Sequence, residues 1–154
     1  MAQSFKIYLA GDIRPDNWRQ KVLQRFLNRE GIEFLFPQTG FSYEERSLAQ
    51  TERYRTGYQV ADLLKVDQAD VVLAVIEKDS PSAYSGTSAE IGYAKAKGKY
   101  IILVKEPTTH LYAFIKRISN IVFDKLDDAL AHLEDIWEEM TIKGITSDGR
   151  ASAG

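Results

Sequence analysis

Asp70-Val71-Val72-Leu73-Ala74-Val75-Ile76 decides how this chain of 154 residues folds. After one acid, every residue of the run is apolar. A strand with one wet face alternates apolar and polar. A continuous run fits a strand buried on both faces, at the centre of a parallel sheet covered by helices.

Working outward, the flanking segments supply that sheet and its helices. Upstream, Phe5–Ala10 reads as a first strand ended by Gly11. A helix is expected from about Asp16 to Glu30, with Trp18, Val22, Leu23, Phe26 and Leu27 on one face and Gly31 as its stop. Ile32–Phe36 reads as a second strand closed by Pro37. A polar loop over 38–50 then leads to a helix near Thr51–Val66, with Tyr54, Tyr58, Ala61 and Leu64 as its stripe and Lys65 at the edge. Downstream come a short helix over Thr87–Lys97 stopped by Gly98, strands at Tyr100–Val104 and Asn120–Phe123, and an amphipathic helix over Leu126–Met140.

Strand–helix alternation of this kind predicts an α/β fold, flavodoxin-like or Rossmann-like, with a five-stranded parallel sheet and helices on both faces. Right-handed crossovers narrow the expected strand order to 2-1-3-4-5. Residues 1–145 are expected to form one domain, and 146–154, rich in Gly, Ser and Ala, a flexible tail. Ligands of such sheets lie beyond the C-terminal strand ends, where the order switches between strands one and three. Two loops are thereby singled out, Gly11–Trp18 and Glu77–Thr87.

Composition removes several classes of function. Hydrophobic residues make up 44% and charged residues 27%, an ordinary globular balance. A net charge of −2 argues against a broad surface for a nucleic-acid polymer or a membrane. There are no cysteines, hence no disulfide, thiolate metal site or cysteine nucleophile. His110 and His132 lack metal-site spacing and read as structural or surface residues. Neither a Walker-type loop nor G-x-G-x-x-G occurs. Met1–Lys6 carries no apolar signal segment, and no apolar run nears the roughly 20 residues of a membrane span, so the cytoplasm is the expected location.

In the second loop, Ser80-Pro81-Ser82-Ala83-Tyr84-Ser85-Gly86-Thr87-Ser88-Ala89-Glu90-Ile91-Gly92, small residues bracket one carboxylate. Glu90 is expected in the first turn of a helix just past a central strand. Free N–H groups and the helix dipole there favour its ionised form, as attack on an anomeric carbon requires. Gly86 and Gly92 leave room for a ligand or a close-packed backbone. The plainer alternative is structural: Thr87-x-x-Glu90 has capping-box spacing, which would tie Glu90 to the N–H of Thr87. The first loop is Gly11-Asp12-Ile13-Arg14-Pro15-Asp16-Asn17-Trp18. Its glycine brings backbone close to a ligand, and Arg14 either grips a phosphate or hydroxyl or stands in solvent. Trp18 begins an apolar stripe and reads as core or interface. Asp62, one acid on a helix, would by itself be a solvated surface group.

Three blocks carry a resemblance. They are Ile7-Tyr8-Leu9-Ala10-Gly11; Asp62-Leu63, Asp67 and Ala69-Asp70-Val71-Val72-Leu73-Ala74; and Ser85-Gly86-Thr87, Glu90-Ile91-Gly92-Tyr93-Ala94, Ala96 and Gly98-Lys99. In this order, over roughly Lys6 to Val104, they resemble the nucleoside 2-deoxyribosyltransferase family. The resemblance implies a retaining double displacement without metal or organic cofactor. Glu90 matches the nucleophile that attacks C1′, Asp62 the acid that protonates or steers the base, and Tyr8 the tyrosine that holds the nucleophile. It also implies a nucleoside or nucleotide and a free nucleobase as small-molecule partners, and a homodimer or larger homo-oligomer.

Gly11-x-Ile13-Arg14 resembles a related branch, the 2′-deoxynucleoside 5′-monophosphate N-glycosidases, in which the arginine contacts phosphate. One position departs from both patterns and another from the hydrolase pattern alone. Tyr84 stands directly before Ser85-Gly86, where transferases carry an aspartate and the hydrolases a serine. Tyr112 stands where the hydrolases carry a second serine. Tyr84, Ser85, Gly86 and the stretch Gly11 to Arg14 are the candidate substrate contacts. Base exchange, hydrolysis, non-catalytic nucleotide binding and a ligand-free structural domain all remain open to the sequence.

Overall fold

The computed structural model describes residues 4–11, 18–37, 52–77, 86–105 and 113–142, and of 52–59 and 142 the backbone alone. Five parallel strands form one sheet: β1 (Phe5–Gly11), β2 (Ile32–Leu35), β3 (Val71–Ile76), β4 (Tyr100–Lys105) and β5 (Ile121–Phe123). Their order is β2-β1-β3-β4-β5, the one expected from the alternation. All six residues of β3 are buried, since helices cover both of its faces. Asp70 sets its register at the outset. The Asp70 N–H donates to Lys6 O at 2.8 Å, and the Lys6 N–H donates to Asp70 Oδ2 at 2.9 Å.

The helices are α1 (Trp18–Arg25), α2 (Glu52–Gln68), α3 (Gly86–Ala96), α4 (Ala113–Ile118) and α5 (Leu126–Ile142). Side chains on one sheet face, including Ile7, Leu9, Leu73, Val75 and Ile102, pack with Trp18, Val22 and Phe26 of α1 and Leu130 and Leu133 of α5. Those on the other, including Tyr8, Val72, Ala74, Ile101 and Leu103, pack with Val66 of α2, Ile91 and Ala94 of α3 and Ile115 of α4. Burying apolar area at roughly 25 cal/mol per Å² on both faces holds the layers together. Among the described residues no helix is long and apolar enough to cross a membrane.

Gly98 stops its helix as expected, whereas α1 ends at Arg25, six residues before Gly31, which instead turns the chain into β2. Gly31 and Gly98 have φ of 79° and 72°, left-handed values that a side chain disfavours. At Gly98 the backbone closes a Schellman turn, Gly98 N–H donating to Lys95 O and Lys99 N–H to Ala94 O.

Three expectations need correcting. The first helix ends at Arg25 and gives way to a turn, so Leu23 and Leu27 face solvent at 37% and 77% exposure. The stripe assigned to the second helix does not hold where its side chains are described: Leu64 is exposed and Ala61 part-buried, whereas Asp62 and Val66 are buried. Hydropathy misled here because a carboxylate occupies the inward face. Finally, α4 was not anticipated; at six residues it spans under two turns, too few for a period to show. The expected tail over 146–154 lies outside the described residues.

Candidate active site

Three polar side chains meet under α2 and α3, on the sheet face that carries Tyr8. Tyr8 is the fourth residue of β1 and fully buried. Asp62 reaches inward from α2 and is only 6% exposed, a burial that the sequence alone argued against. Glu90 stands on α3, half-buried, with its Oε2 atom buried. A second contact fixes the spacing of the two helices. The Tyr93 hydroxyl donates to the Asp67 carboxylate, 2.9 Å from each oxygen, and Lys99 Nζ donates to Asp67 O at 2.8 Å. Asp67 and Tyr93 therefore join the helix bearing Asp62 to the one bearing Glu90.

Burial and mutual charge shift the proton affinities of Tyr8 and Glu90. The Glu90 carboxyl is pushed from an ordinary value of 4.5 up to about 8. Burial is the largest cause and the charge of Asp62 the next, while Tyr8 and Arg19 pull the other way. Helix α3 begins at Gly86, so Glu90 is its fifth residue and lies past the free N–H groups of the first turn. Thr87 for its part stands inside the helix rather than at its cap, which removes the geometry of a capping box. The Tyr8 hydroxyl is likewise pushed up, by burial and by the charges of Glu90 and Asp62.

Tyr8 leans on Glu90 closely enough to favour the carboxylate. Even so, neither Tyr8 Oη nor Glu90 Oε2 completes a hydrogen bond of normal geometry. Buried polar atoms are nearly always paired. Among the described residues the atoms Trp18 Nε1, Arg19 Nε and Arg29 Nη1 are buried without a hydrogen bond too, and the pair at Tyr8 and Glu90 differs in standing beside a second buried acid, Asp62.

Of the neighbouring loops the described residues include Gly11 and Gly86. Gly11 is packed by its own chain: a Cβ there would lie 2.8 Å from both Trp18 Cζ2 and Val75 O. Gly86 borders open space, with nothing within 4 Å of an added Cβ. The other candidate contacts, Asp12, Ile13, Arg14, Tyr84 and Ser85, lie outside the described residues, as does Tyr112. A cavity of about 380 Å³ opens where β3 and β4 end, lined by Trp18, Lys21, Glu77, Lys125 and Asp127 among others. None of Tyr8, Asp62 and Glu90 lines it. His132 is structural, its Nε2 2.9 Å from the Tyr100 hydroxyl.

One residue near the site escaped the sequence reading. Arg19 is 7% exposed, and its charge acts on both Tyr8 and Glu90. The signal was present, since position 19 lies three before Val22 and seven before Phe26, on the inward face of α1. Asp62 stands likewise four before Val66. A charged residue at a core position of a helix was the legible mark in both cases.

A model described as nucleoside 2-deoxyribosyltransferase-like matches residues 4–108, a span holding β1 to β4, Tyr8, Asp62 and Glu90. The chain belongs to the nucleoside 2-deoxyribosyltransferase-like family. Membership supports a nucleoside deoxyribosyltransferase-like enzyme.

Solved structures share the fold of this deoxyribosyltransferase-like chain. A conserved protein from Enterococcus faecalis V583 superposes with a TM-score of 0.68 at 18% identity, covering 88% of this chain and 99% of its own. A 2-deoxyribosyltransferase from Bacillus psychrosaccharolyticus gives 0.60 at 21% identity, covering 81% and 90%. A CMP N-glycosidase from Clostridium botulinum gives 0.53 at 21% identity, covering 84% and 98%. No curated protein matches the chain in sequence.

Proposed function

We propose that this protein cleaves the N-glycosidic bond of a deoxynucleoside or its nucleotide through a covalent glycosyl–Glu90 intermediate and passes the sugar to a second base. The observation that carries the reading is the buried, unpartnered Glu90 Oε2 facing the unpartnered Tyr8 hydroxyl, with Asp62 beside them. Two acids in one desolvated site favour holding a single proton between them. A nucleophile and a proton donor require that state.

In the first step the proton resides on Asp62 and Glu90 is ionised. A Glu90 oxygen bonds to C1′ as the bond from C1′ to the base nitrogen breaks, and the Asp62 proton goes to the departing base. In the second step an incoming base attacks C1′, gives its proton to Asp62 and releases Glu90 as carboxylate. Tyr8 steadies Glu90 between the steps. Gly11, Asp12, Ile13, Arg14, Tyr84, Ser85 and Gly86 are the proposed contacts to the rest of the substrate. Water in place of the second base gives hydrolysis, the reading that Gly11-x-Ile13-Arg14 favours.

Incubation with deoxynucleosides and their monophosphates, with and without a free second base, tests the reading. A new nucleoside marks transfer, free base plus sugar marks hydrolysis, and neither product across the panel refutes both. Glu90→Gln is expected to lose about 10³-fold or more in kcat while remaining folded. Mass spectrometry with a slow fluorinated substrate should place a sugar on Glu90. Because the first step needs the one proton that the Asp62–Glu90 pair holds, kcat/KM of the parent should fall as pH climbs through about 8.

A further inference from the structure

Strand β1 outruns its neighbour β2. The last β1–β2 pair is Tyr8 with Leu35, whereas β1–β3 pairing continues to Gly11 with Val75. Along a parallel strand alternate residues serve the same neighbour. The Phe5 N–H donates to Gly31 O, on the β2 side, and Lys6 O accepts from Asp70 N–H, on the β3 side. Odd-numbered residues of β1 therefore face β2. The carbonyls of Leu9 and Gly11 point at an edge where β2 has already ended.

Arg19 occupies that edge. Its Nη2 donates to Leu9 O at 3.0 Å and to Gly11 O at 3.1 Å. Its guanidinium lies 4.5 Å from the centre of the Trp18 ring, and Trp18 in turn packs against Gly11. The cation is thus fixed to the end of the strand that carries Tyr8. Among the described residues the charged and titratable groups acting on Glu90 are Tyr8 from β1, Asp62 from α2 and Arg19 from α1. Arg19 alone supplies positive charge.

We propose that Arg19 is a positioning residue of the Glu90 site, standing in for β2 at the end of β1 and holding a cation beside Tyr8, Asp62 and Glu90. The assignment deepens the reading of Glu90 as nucleophile and rests on it. A neutral donor would suffice to tie two carbonyls. Burying a guanidinium costs more than burying an amide, and the charge so buried acts on Glu90 against that of Asp62.

The test is a titration of the Glu90 side-chain carboxyl carbon by NMR in the ligand-free protein, the resonance being assigned by its loss in Glu90→Gln. Sucrose in the buffer keeps weakened variants folded. In Arg19→Gln, which retains a donor but no charge, the Glu90 midpoint should move up by about half a pH unit or more. Arg19→Lys, which retains the charge, should stay within about 0.2 unit of the parent. An Arg19→Gln protein that titrates with the parent, however low its Tm, overturns the proposal and leaves Arg19 a mechanical strap. So does an Arg19→Lys midpoint that moves as far as that of Arg19→Gln. Turnover plays no part in this measurement. A parent that cleaves no nucleoside therefore refutes the nucleophile without disturbing the titration.

Discussion

Two glutamates on opposite faces of the sheet have opposite fates. Glu134, on α5, lies between Arg25 and Arg29 of the α1 region: Arg25 Nε donates to one carboxylate oxygen and Arg29 Nη2 to the other, the latter at 2.7 Å. Burial pushes its carboxyl up, but the hydrogen bonds and charges of the two arginines together bring it below the usual value. Around this clasp, Arg29 lies over the rings of Phe26 and Trp137, and Trp137 Nε1 donates to Glu30 O. Glu90 has an acid beside it instead, and an oxygen without a partner. An acid that faces cations ties helices together. An acid that faces another acid lowers the stability of the fold, and that cost is what the proposed role of Glu90 would explain.

The comparison breaks first at Glu90. Its folded value lies above its unfolded one, so its contribution to stability is fully present below about pH 4.5 and is lost as pH rises through about 8. Glu90→Gln keeps the neutral shape at every pH. It should stabilise the protein by about 2 kcal/mol at pH 8, since water and relaxation screen much of the shift. That is a Tm about 5 °C above the parent by calorimetry, a gain absent at pH 4. A variant less stable than the parent at pH 8 would place Glu90 among the structural acids.

Glu134→Gln should run the other way, with a cost of about 1 kcal/mol at pH 7 and activity within about twofold of the parent. Its folded value is lowered, so the stabilisation is present above the unfolded value of 4.5 and disappears as pH falls through the folded one. Plotted against pH, the Tm differences of the two glutamine variants should therefore have opposite slopes. Equal slopes would mean that the two faces do not differ as described.

The smallest expected effect belongs to Tyr8→Phe. Deleting a buried hydroxyl without a partner should raise stability by up to about 1 kcal/mol. The Glu90 midpoint should move further up, since the hydroxyl favours the carboxylate. Denaturant unfolding and the same carboxyl titration read both. A fall in stability would show that the hydroxyl is already bonded in solution.

The local sequence was enough for the strands, the glycine stop at Gly98 and the strand order. Each follows from short-range facts: a run with no polar residue, a φ that only glycine adopts with ease, a handed crossover. The blocks around Tyr8, Asp62 and Glu90 likewise marked the family before any coordinates. Tertiary structure alone decided the charge states and partners. Tyr8, Asp62 and Glu90 lie 54 and 28 residues apart along the chain, and Arg19 joins them only because β2 stops short of β1. Helical patterning reports which face of a helix turns inward, whereas the proton affinity of an acid depends on every charge and every removed water around it. No local stretch of this chain carries that sum, so Glu90 reads as an ionised helix-start acid in sequence and stands in the fold as a half-buried acid whose proton affinity is raised by burial and by Asp62.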